Sequence, residues 1–213
     1  MKLEFIQRDV LKEKPKDETK LGFGRIFTDY MLMMKRDGQR GWYHAAIEPY
    51  GNLSLSPAAT VLHYSQEVFE GLKAYRAEDG RVLMFRPWDN VKRLATSAER
   101  ICMAPFDGEF FLNSLYELIK TEKDWIPSSP GTSLYIRPTY IGVDPFVGVR
   151  PAEEYLLYVI LSPSGAYSII GSYFSMISCT LFSPRERHPA CTASPISSTG
   201  FVLLTAIKVT SLG

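Results

Sequence analysis

The order of structural elements is clearest in the stretch VFEGLKAYRAEDGRVLMFRPWDNVKRLATSAERICM (68–103). Its first half contains two strand-like runs, 68–76 and 81–86, and the turn signal EDG between them predicts a β-hairpin. Pro87 then opens a helix that carries Asp89 in its first turn, where the helix dipole favours an acidic residue. The apolar residues of this helix recur at helical spacing: Val91, Leu94, Ala95, Ala98 and Ile101.

The next 60 residues or so continue this pattern with one more helix and two more strands. A second amphipathic helix is predicted over about residues 109–122, with a core face formed by Phe111, Leu115, Leu118 and Ile119. Two β-rich runs follow, TSLYIRPTYIGV (132–143) and EEYLLYVILSP (153–163). Strands, then two helices, then strands predict an α+β fold.

The composition of the chain excludes several classes of protein. With 213 residues and 46% hydrophobic content, the chain is long enough for one large domain with a real core. A net charge of +1 gives no electrostatic reason to expect nucleic acid or an anionic membrane as partner. No run of about 18 apolar residues is present, and the N-terminal MKLEFIQRDVLKEKPKDETK lacks the apolar core of a secretory signal.

The cysteines and histidines predict neither disulfides nor a metal site. Cys102, Cys179 and Cys191 form no CxxC pair and no even framework, which favours reduced thiols in the cytoplasm. His63 and His188 have no cysteine or histidine at ligand spacing nearby.

The charge content changes abruptly after Tyr167. Residues 168–213 contain four charged side chains, whereas the first 167 residues contain 43 of the 47 in the chain. The four are Arg185, Glu186, Arg187 and Lys208. The segment could form a buried strand pair, but we expect a tail that is frameshifted or not native to the fold, because its pattern conflicts with the rest of the chain. The sequence therefore predicts a domain over 1–167 and an atypical tail over 168–213.

Two arginines lie within apolar patterns and are candidates for binding an anion. Arg137 stands between Ile136 and Pro138 in a run that predicts a buried strand, so its guanidinium needs a partner. That partner is either a bound carboxylate or an acidic side chain in a structural ion pair. Arg93 lies beside the apolar stripe of the first helix, where it is either a solvated charge or an anion ligand at the edge of a cleft.

Several aromatic residues and one glutamate accompany these arginines. Tyr64, Phe69, Tyr135 and Tyr167 stand in or next to apolar runs, where each could be a core aromatic or the wall of a pocket. Glu70 within VFEGL could be a buried general acid, but we favour a paired strand residue.

Taken together, these segments resemble the branched-chain amino acid aminotransferases, which belong to the class IV enzymes that depend on pyridoxal phosphate. The resemblance covers roughly residues 20–167, and four of its motifs occur in the family's order. It is carried by DYMLMMKRDGQRGWYHAAIEPYGNLSLSPAA (29–59), HYSQEVFEGLKAY (63–75), FRPWDNVKRL (85–94), GTSLYIRPTYIG (131–142) and YVILSPSGAY (158–167). The fold implied is the small N-terminal domain of the class IV aminotransferases, with the second domain largely missing.

The resemblance also implies roles for individual residues. Arg93 matches the arginine that holds the cofactor phosphate, and Arg137 matches an arginine that organises the substrate side of the site. Tyr64, Phe69, Tyr135 and Tyr167 match aromatic residues of the substrate pocket. An aromatic pocket suits leucine, isoleucine and valine, because it favours apolar side chains over polar ones. In the family this pocket is completed across a homodimer.

The chemistry that the resemblance implies belongs to pyridoxal 5′-phosphate. In the family an enzyme lysine holds the cofactor as a Schiff base and moves the α-proton of the amino acid. The branched amino acid becomes a branched 2-oxo acid, and 2-oxoglutarate then accepts the amino group as glutamate.

The family's lysine is expected about thirty residues after Tyr167, close to Ile196, and no lysine stands there. Lys208 follows Tyr167 but lacks the family's glycine-rich context, so it is not expected to substitute. We therefore expect an aminotransferase domain that does not transaminate as given. The alternative is a non-catalytic dimerisation module derived from the enzyme.

Overall fold

An eight-stranded sheet forms the centre of the computed structural model, which describes residues 1–165. Three α-helices accompany the strands, together with short 3₁₀ helices at Glu18–Lys20 and Lys123–Trp125. The strands are β1 (Glu4–Phe5), β2 (Tyr30–Asp37), β3 (Gly41–Pro49), β4 (Glu67–Phe69), β5 (Leu72–Arg76), β6 (Val82–Met84), β7 (Ser133–Gly142) and β8 (Tyr155–Ser164). The helices are α1 (Thr60–Tyr64), α2 (Pro87–Arg100) and α3 (Gly108–Thr121). This mixture confirms the predicted α+β class.

The strands follow the order β1-β3-β2-β8-β7-β5-β6, and β4 also pairs with β7. Neighbouring strands are antiparallel except for β1, which runs parallel to β3 at the edge of the sheet. The long strands β7 and β8 pair over ten residues and form the middle of the sheet. The two strands predicted over 132–143 and 153–163 are therefore confirmed, and the structure shows that they pair.

One face of the sheet packs against α2 and α3 and forms the main hydrophobic core. Side chains alternate between the two faces of a strand, so Leu134, Ile136 and Tyr140 of β7 point to the helices. From the helices the core receives Val91, Leu94, Ala98, Phe111, Leu115, Leu118 and Ile119. The core face predicted for the second helix is confirmed in full, and Tyr135 and Arg137 project from the opposite face of β7.

The first predicted helix ends earlier than its sequence pattern indicates. Helix α2 stops at Arg100, and Cys102 takes a left-handed conformation with φ of 57°. The amides of Cys102 and Met103 donate to the carbonyls of Glu99 and Ala98, which closes the helix in a Schellman motif. Ile101, which continues the apolar spacing in the sequence, therefore lies beyond the helix and is 36% exposed.

The predicted hairpin is confirmed, but its first strand is interrupted. Strands β5 and β6 pair antiparallel across the turn that contains Asp79 and Gly80. The run 68–76 is not one strand, because its pairing breaks at Glu70 and Gly71 between β4 and β5. Glu70 N donates to the carbonyl of Pro138 at 3.0 Å, and Pro138 has no N–H to return the bond.

No helix within residues 1–165 has the length and apolar character needed to cross a bilayer. The same residues bring together no group of three histidine, cysteine, aspartate or glutamate side chains that could hold a metal ion. Tyr167, Cys179, Cys191, Lys208 and the predicted tail over 168–213 lie outside the described residues, so the domain boundary stays a prediction.

Candidate active site

Three of the predicted site residues meet on the face of the sheet opposite the helices. Arg137 donates from Nε and Nη2 to the hydroxyl of Tyr135 at 2.9 and 2.6 Å. Its guanidinium carbon lies 4.4 Å from the ring centre of Phe69, a cation–π arrangement. Phe69 belongs to β4 and the two other residues to β7, so the antiparallel pairing of these strands brings them together.

Among the described residues, Arg137 does not have the acidic partner that one of the two sequence interpretations gave it. Arg137 is half-buried, and within the described part of the chain it forms no ion pair with an acidic side chain. A phenol oxygen and an aromatic ring contact the guanidinium, and no ion pair within residues 1–165 neutralises its positive charge. The arrangement can therefore accept a carboxylate, for which the planar guanidinium is well suited.

Three further residues surround this group and escaped the sequence analysis. The ring of Phe23 lies 4.8 Å from that of Tyr135. Gly71 approaches so closely that a β-carbon there would lie 2.7 Å from the Tyr135 hydroxyl. Burial raises the pKa of Tyr158, although a hydrogen bond with Thr139 and the charge of Arg137 act in the opposite direction. The flanking glycines of Phe23 are the one sequence signal that could have marked this segment.

Arg93 lies on the helix-covered side of the β4–β5 break, where it pairs with Glu70. Its Nε donates to Glu70 Oε1 at 2.5 Å and its Nη2 to Oε2 at 2.7 Å. These hydrogen bonds raise the pKa of Arg93. The pairing favoured for Glu70 is confirmed, and the Arg93 side chain is still 61% exposed. Arg93 is therefore paired with an acidic side chain and still accessible to an anion in solution.

Tyr64 lies apart from the group around Arg137. It ends helix α1, is 42% exposed, and donates its hydroxyl proton to the carbonyl of Val147. No hydrogen bond or ring contact of residues 1–165 connects it to Phe69, Tyr135 or Arg137. The core-aromatic interpretation of Tyr64 and of Phe69, which is 48% exposed, was wrong.

Two cavities of this part of the chain lie away from the predicted site residues. One of about 390 Å³ is lined by Cys102, Met103 and Glu153 among others. A second of about 330 Å³ is lined by residues that include Arg40, Tyr43 and Glu154. Both include Arg36 and Tyr155, and neither is lined by Arg93 or Arg137.

The sequence of this chain is similar to those of known enzymes over most of its length. Over 156 residues the chain is 53% identical to branched-chain-amino-acid transaminase 1 of Bacillus subtilis, an alignment of 73% of this chain and 44% of that protein. It is 48% identical over 165 residues to the cytosolic branched-chain-amino-acid aminotransferase of Rattus norvegicus, covering 78% of this chain and 40% of the relative. Over its aligned residues, this chain is a homologue of the branched-chain-amino-acid aminotransferases.

The chain spans less than half the length of these curated relatives. Among solved structures it resembles the branched-chain aminotransferase of Thermoproteus uzoniensis with norvaline, with a TM-score of 0.49 and 22% identity over 64% of this chain and 41% of that one. The Escherichia coli branched-chain aminotransferase gives a TM-score of 0.48 at 22% identity over 68% and 42% of the two chains. No family model matches the chain.

Proposed function

We propose that residues 1–165 carry part of the active site of a branched-chain aminotransferase. The proposed substrates are leucine, isoleucine and valine with their branched 2-oxo acids, and 2-oxoglutarate with glutamate. The observation that carries the proposal is the contact of Phe69, Tyr135 and Arg137 in a chain that is about half identical to such enzymes.

The substrate side is assigned to the group around Arg137. Its guanidinium supplies a positive charge for a carboxylate, and the Tyr135 hydroxyl, which accepts from Arg137, keeps its own proton to donate. Phe69 and Phe23 flank this group with apolar rings that exclude water from the bound molecule. A pocket of this composition accommodates a branched apolar side chain and still retains one site for an anionic group.

The cofactor side is assigned to Arg93, which would hold the phosphate of pyridoxal 5′-phosphate. The residues present fit this end of the cofactor, because Arg93 is exposed and its Nη1 has no partner among the hydrogen bonds of the described residues. When bound, the cofactor supplies the electron sink for the reaction. Arg93 anchors the anion, and Glu70 fixes the guanidinium that binds it.

Tyr64 is assigned to a site shared between two copies of the chain. Its position apart from Arg137 agrees with a homodimer in which Tyr64 serves the partner's pocket. The segment that accepts its hydrogen bond supports this assignment, since it carries the exposed apolar residues Val147, 60% exposed, and Val149, 90% exposed. A non-catalytic dimerisation module that retains this surface is the alternative function.

We propose further that these 213 residues by themselves do not transaminate, because the family's Schiff-base lysine has no counterpart near Ile196. The protein is assigned to the cytoplasm, which agrees with its sparse cysteines.

Binding and turnover measurements on the purified 213-residue chain test these assignments. We expect pyridoxal 5′-phosphate to bind without being trapped by borohydride, and leucine not to be transaminated. Arg93→Ala is expected to weaken cofactor binding about tenfold, which corresponds to one lost charge-assisted bond. Arg100→Ala, at the exposed end of the same helix, is the matched control. Equal cofactor affinity in both variants, or turnover of leucine, would contradict the proposal.

A further inference from the structure

Glu70 is a nearly buried carboxylate that receives hydrogen bonds from three residues. Its side chain is 7% exposed, and Arg93 binds both of its oxygens. Asn90 Nδ2 donates to Oε2 at 3.1 Å, and the amide of Gly71 donates to the same oxygen at 3.3 Å. Donors from helix α2 and from the strand break thus hold this carboxylate in one orientation.

The position of Glu70 follows from the sheet. Because Pro138 cannot donate to the ladder, β4 and β5 separate at Glu70 and Gly71. The Glu70 backbone nevertheless remains fixed through its own bond to the Pro138 carbonyl. The Glu70 carboxylate is therefore anchored to a central strand, whereas Arg93 stands on an exposed helix face.

This pairing determines which edge of the Arg93 guanidinium remains available. Glu70 occupies Nε and one hydrogen of Nη2, so the free N–H groups lie on the opposite edge, at Nη1 and the outer side of Nη2. An unpaired arginine on a helix surface would sample many rotamers and would lose that freedom on binding an anion. Because the ion pair with Glu70 already restricts the Arg93 side chain, little further conformational entropy is lost when an anion binds.

We propose that Glu70 is a positioning residue that orients Arg93 toward a phosphate monoester, and that Asn90 supports it. This inference rests on the proposed function, since it deepens the role given to Arg93. If charge alone decided the affinity, removing Glu70 would strengthen phosphate binding, because the negative charge of Glu70 reduces the attraction of the site for an anion. Positioning outweighs charge here, so removing the carboxylate weakens phosphate binding.

The test compares the affinities of the full 213-residue chain for pyridoxal 5′-phosphate and for pyridoxal, which lacks the phosphate, by equilibrium dialysis. The ratio of the two affinities reports phosphate recognition. It does not change when a fraction of the protein molecules is unfolded, because both affinities then fall by the same factor. Glu70→Gln is expected to lower this ratio about fivefold, the scale of one hydrogen bond to a charged group. Glu67→Gln makes the same change of charge on exposed β4 and is expected to leave the ratio unchanged.

The outcomes separate this inference from the proposed function. If Arg93→Ala abolishes the preference for the phosphorylated compound but Glu70→Gln preserves or increases it, the positioning role of Glu70 is overturned. If the unaltered chain shows no such preference, or Arg93→Ala leaves it intact, the phosphate role of Arg93 fails and the inference fails with it.

A second variant covers the case in which Glu70→Gln does not fold. Asn90→Ala retains the ion pair and removes one donor to Glu70 Oε2, so we expect a loss of about twofold in the ratio. A ratio equal to that of the unaltered chain would overturn the inference.

Discussion

At the scale of single residues, Glu122 is a carboxyl group whose buried surroundings disfavour its charge. It follows helix α3, is 3% exposed, and accepts a hydrogen bond from the amide of Tyr30 at 2.5 Å. Burial raises the pKa of Glu122 to about 7, and nearby Asp29 adds to the effect. Hydrogen bonds with the backbone of Tyr30 and Asp29 and with the side chain of Thr28 lower the pKa of Glu122 and only partly offset these two effects.

The raised pKa predicts how stability depends on pH. In the unfolded chain the pKa of Glu122 is near 4.5, the ordinary value for a glutamate, whereas in the folded chain the carboxyl group stays protonated to about pH 7. Because the folded state binds more protons in this window, stability falls as the pH rises from 4.5 to 7. The loss is about 2 kcal/mol once solvent screening is allowed for.

Urea unfolding of Glu122→Gln across this pH range measures the effect. The amide can still accept from Tyr30, so the variant is expected to lack most of this pH dependence. Glu117→Gln, on the exposed side of α3, should behave like the unaltered chain. An unchanged slope in Glu122→Gln would show that another group causes the pH dependence.

The site also shows at this scale what a sequence can predict. Arg137 could be recognised from the sequence as a candidate site residue, because a charged residue within an apolar strand needs a partner. The identity of that partner could not, since the Tyr135 hydroxyl and the Phe69 ring reach Arg137 only through rotamers and strand register. The bond between Arg93 and Glu70 likewise joins residues 23 positions apart.

At the scale of elements, the N-terminus of α3 depends on Asp107. Its Oδ1 accepts from the amides of Glu109 and Phe110, both at 3.0 Å, and so satisfies two donors that a helix start leaves free. Apolar spacing locates this helix, but the spacing carries no information about the cap.

Replacing this cap is expected to destabilise the chain without altering its fold. Asp107→Ala should lower the free energy of unfolding by about 1 kcal/mol, as for other N-cap deletions. Asp107→Asn can still accept these bonds and should lose only a few tenths. Thermal and urea unfolding of both variants measures the difference. Equal loss in the two would mean that charge at the helix start matters more than the capping bonds.

Helices and strands with a clear apolar pattern could be predicted from the sequence. Boundaries that depend on a left-handed residue or on a missing backbone N–H could not. The second helix agrees with its pattern because its buried residues recur at helical spacing, and strands β7 and β8 agree with theirs because their apolar runs are buried over most of their length. The end of α2 is set by the left-handed Cys102, and the β4–β5 break is set by a proline about 70 residues further on. Neither effect is visible in the local periodicity.

At the scale of the whole molecule, the exposed apolar residues Val147 and Val149, in the segment that Tyr64 contacts, predict self-association. If this surface joins two copies, Val149→Asp should weaken the dimer at least about tenfold, because a charge would be buried without a partner. Val10→Asp places the same charge at a residue that is 75% exposed and elsewhere in the chain. Sedimentation equilibrium of the three proteins measures the dissociation constants. A dimer that is indifferent to Val149→Asp would place the interface on another surface.

The parallel strand β1 has a consequence for the behaviour of shortened chains. Strand β3 is nine residues long, and on its outer side β1 covers Ala46 and Ile47. The opposite margin of the sheet ends in β6, whose three residues offer little to a foreign strand. Removing residues 1–7 would leave the peptide groups of β3 open to a strand from another molecule. We therefore expect a chain without its first seven residues to aggregate more readily than the unaltered chain.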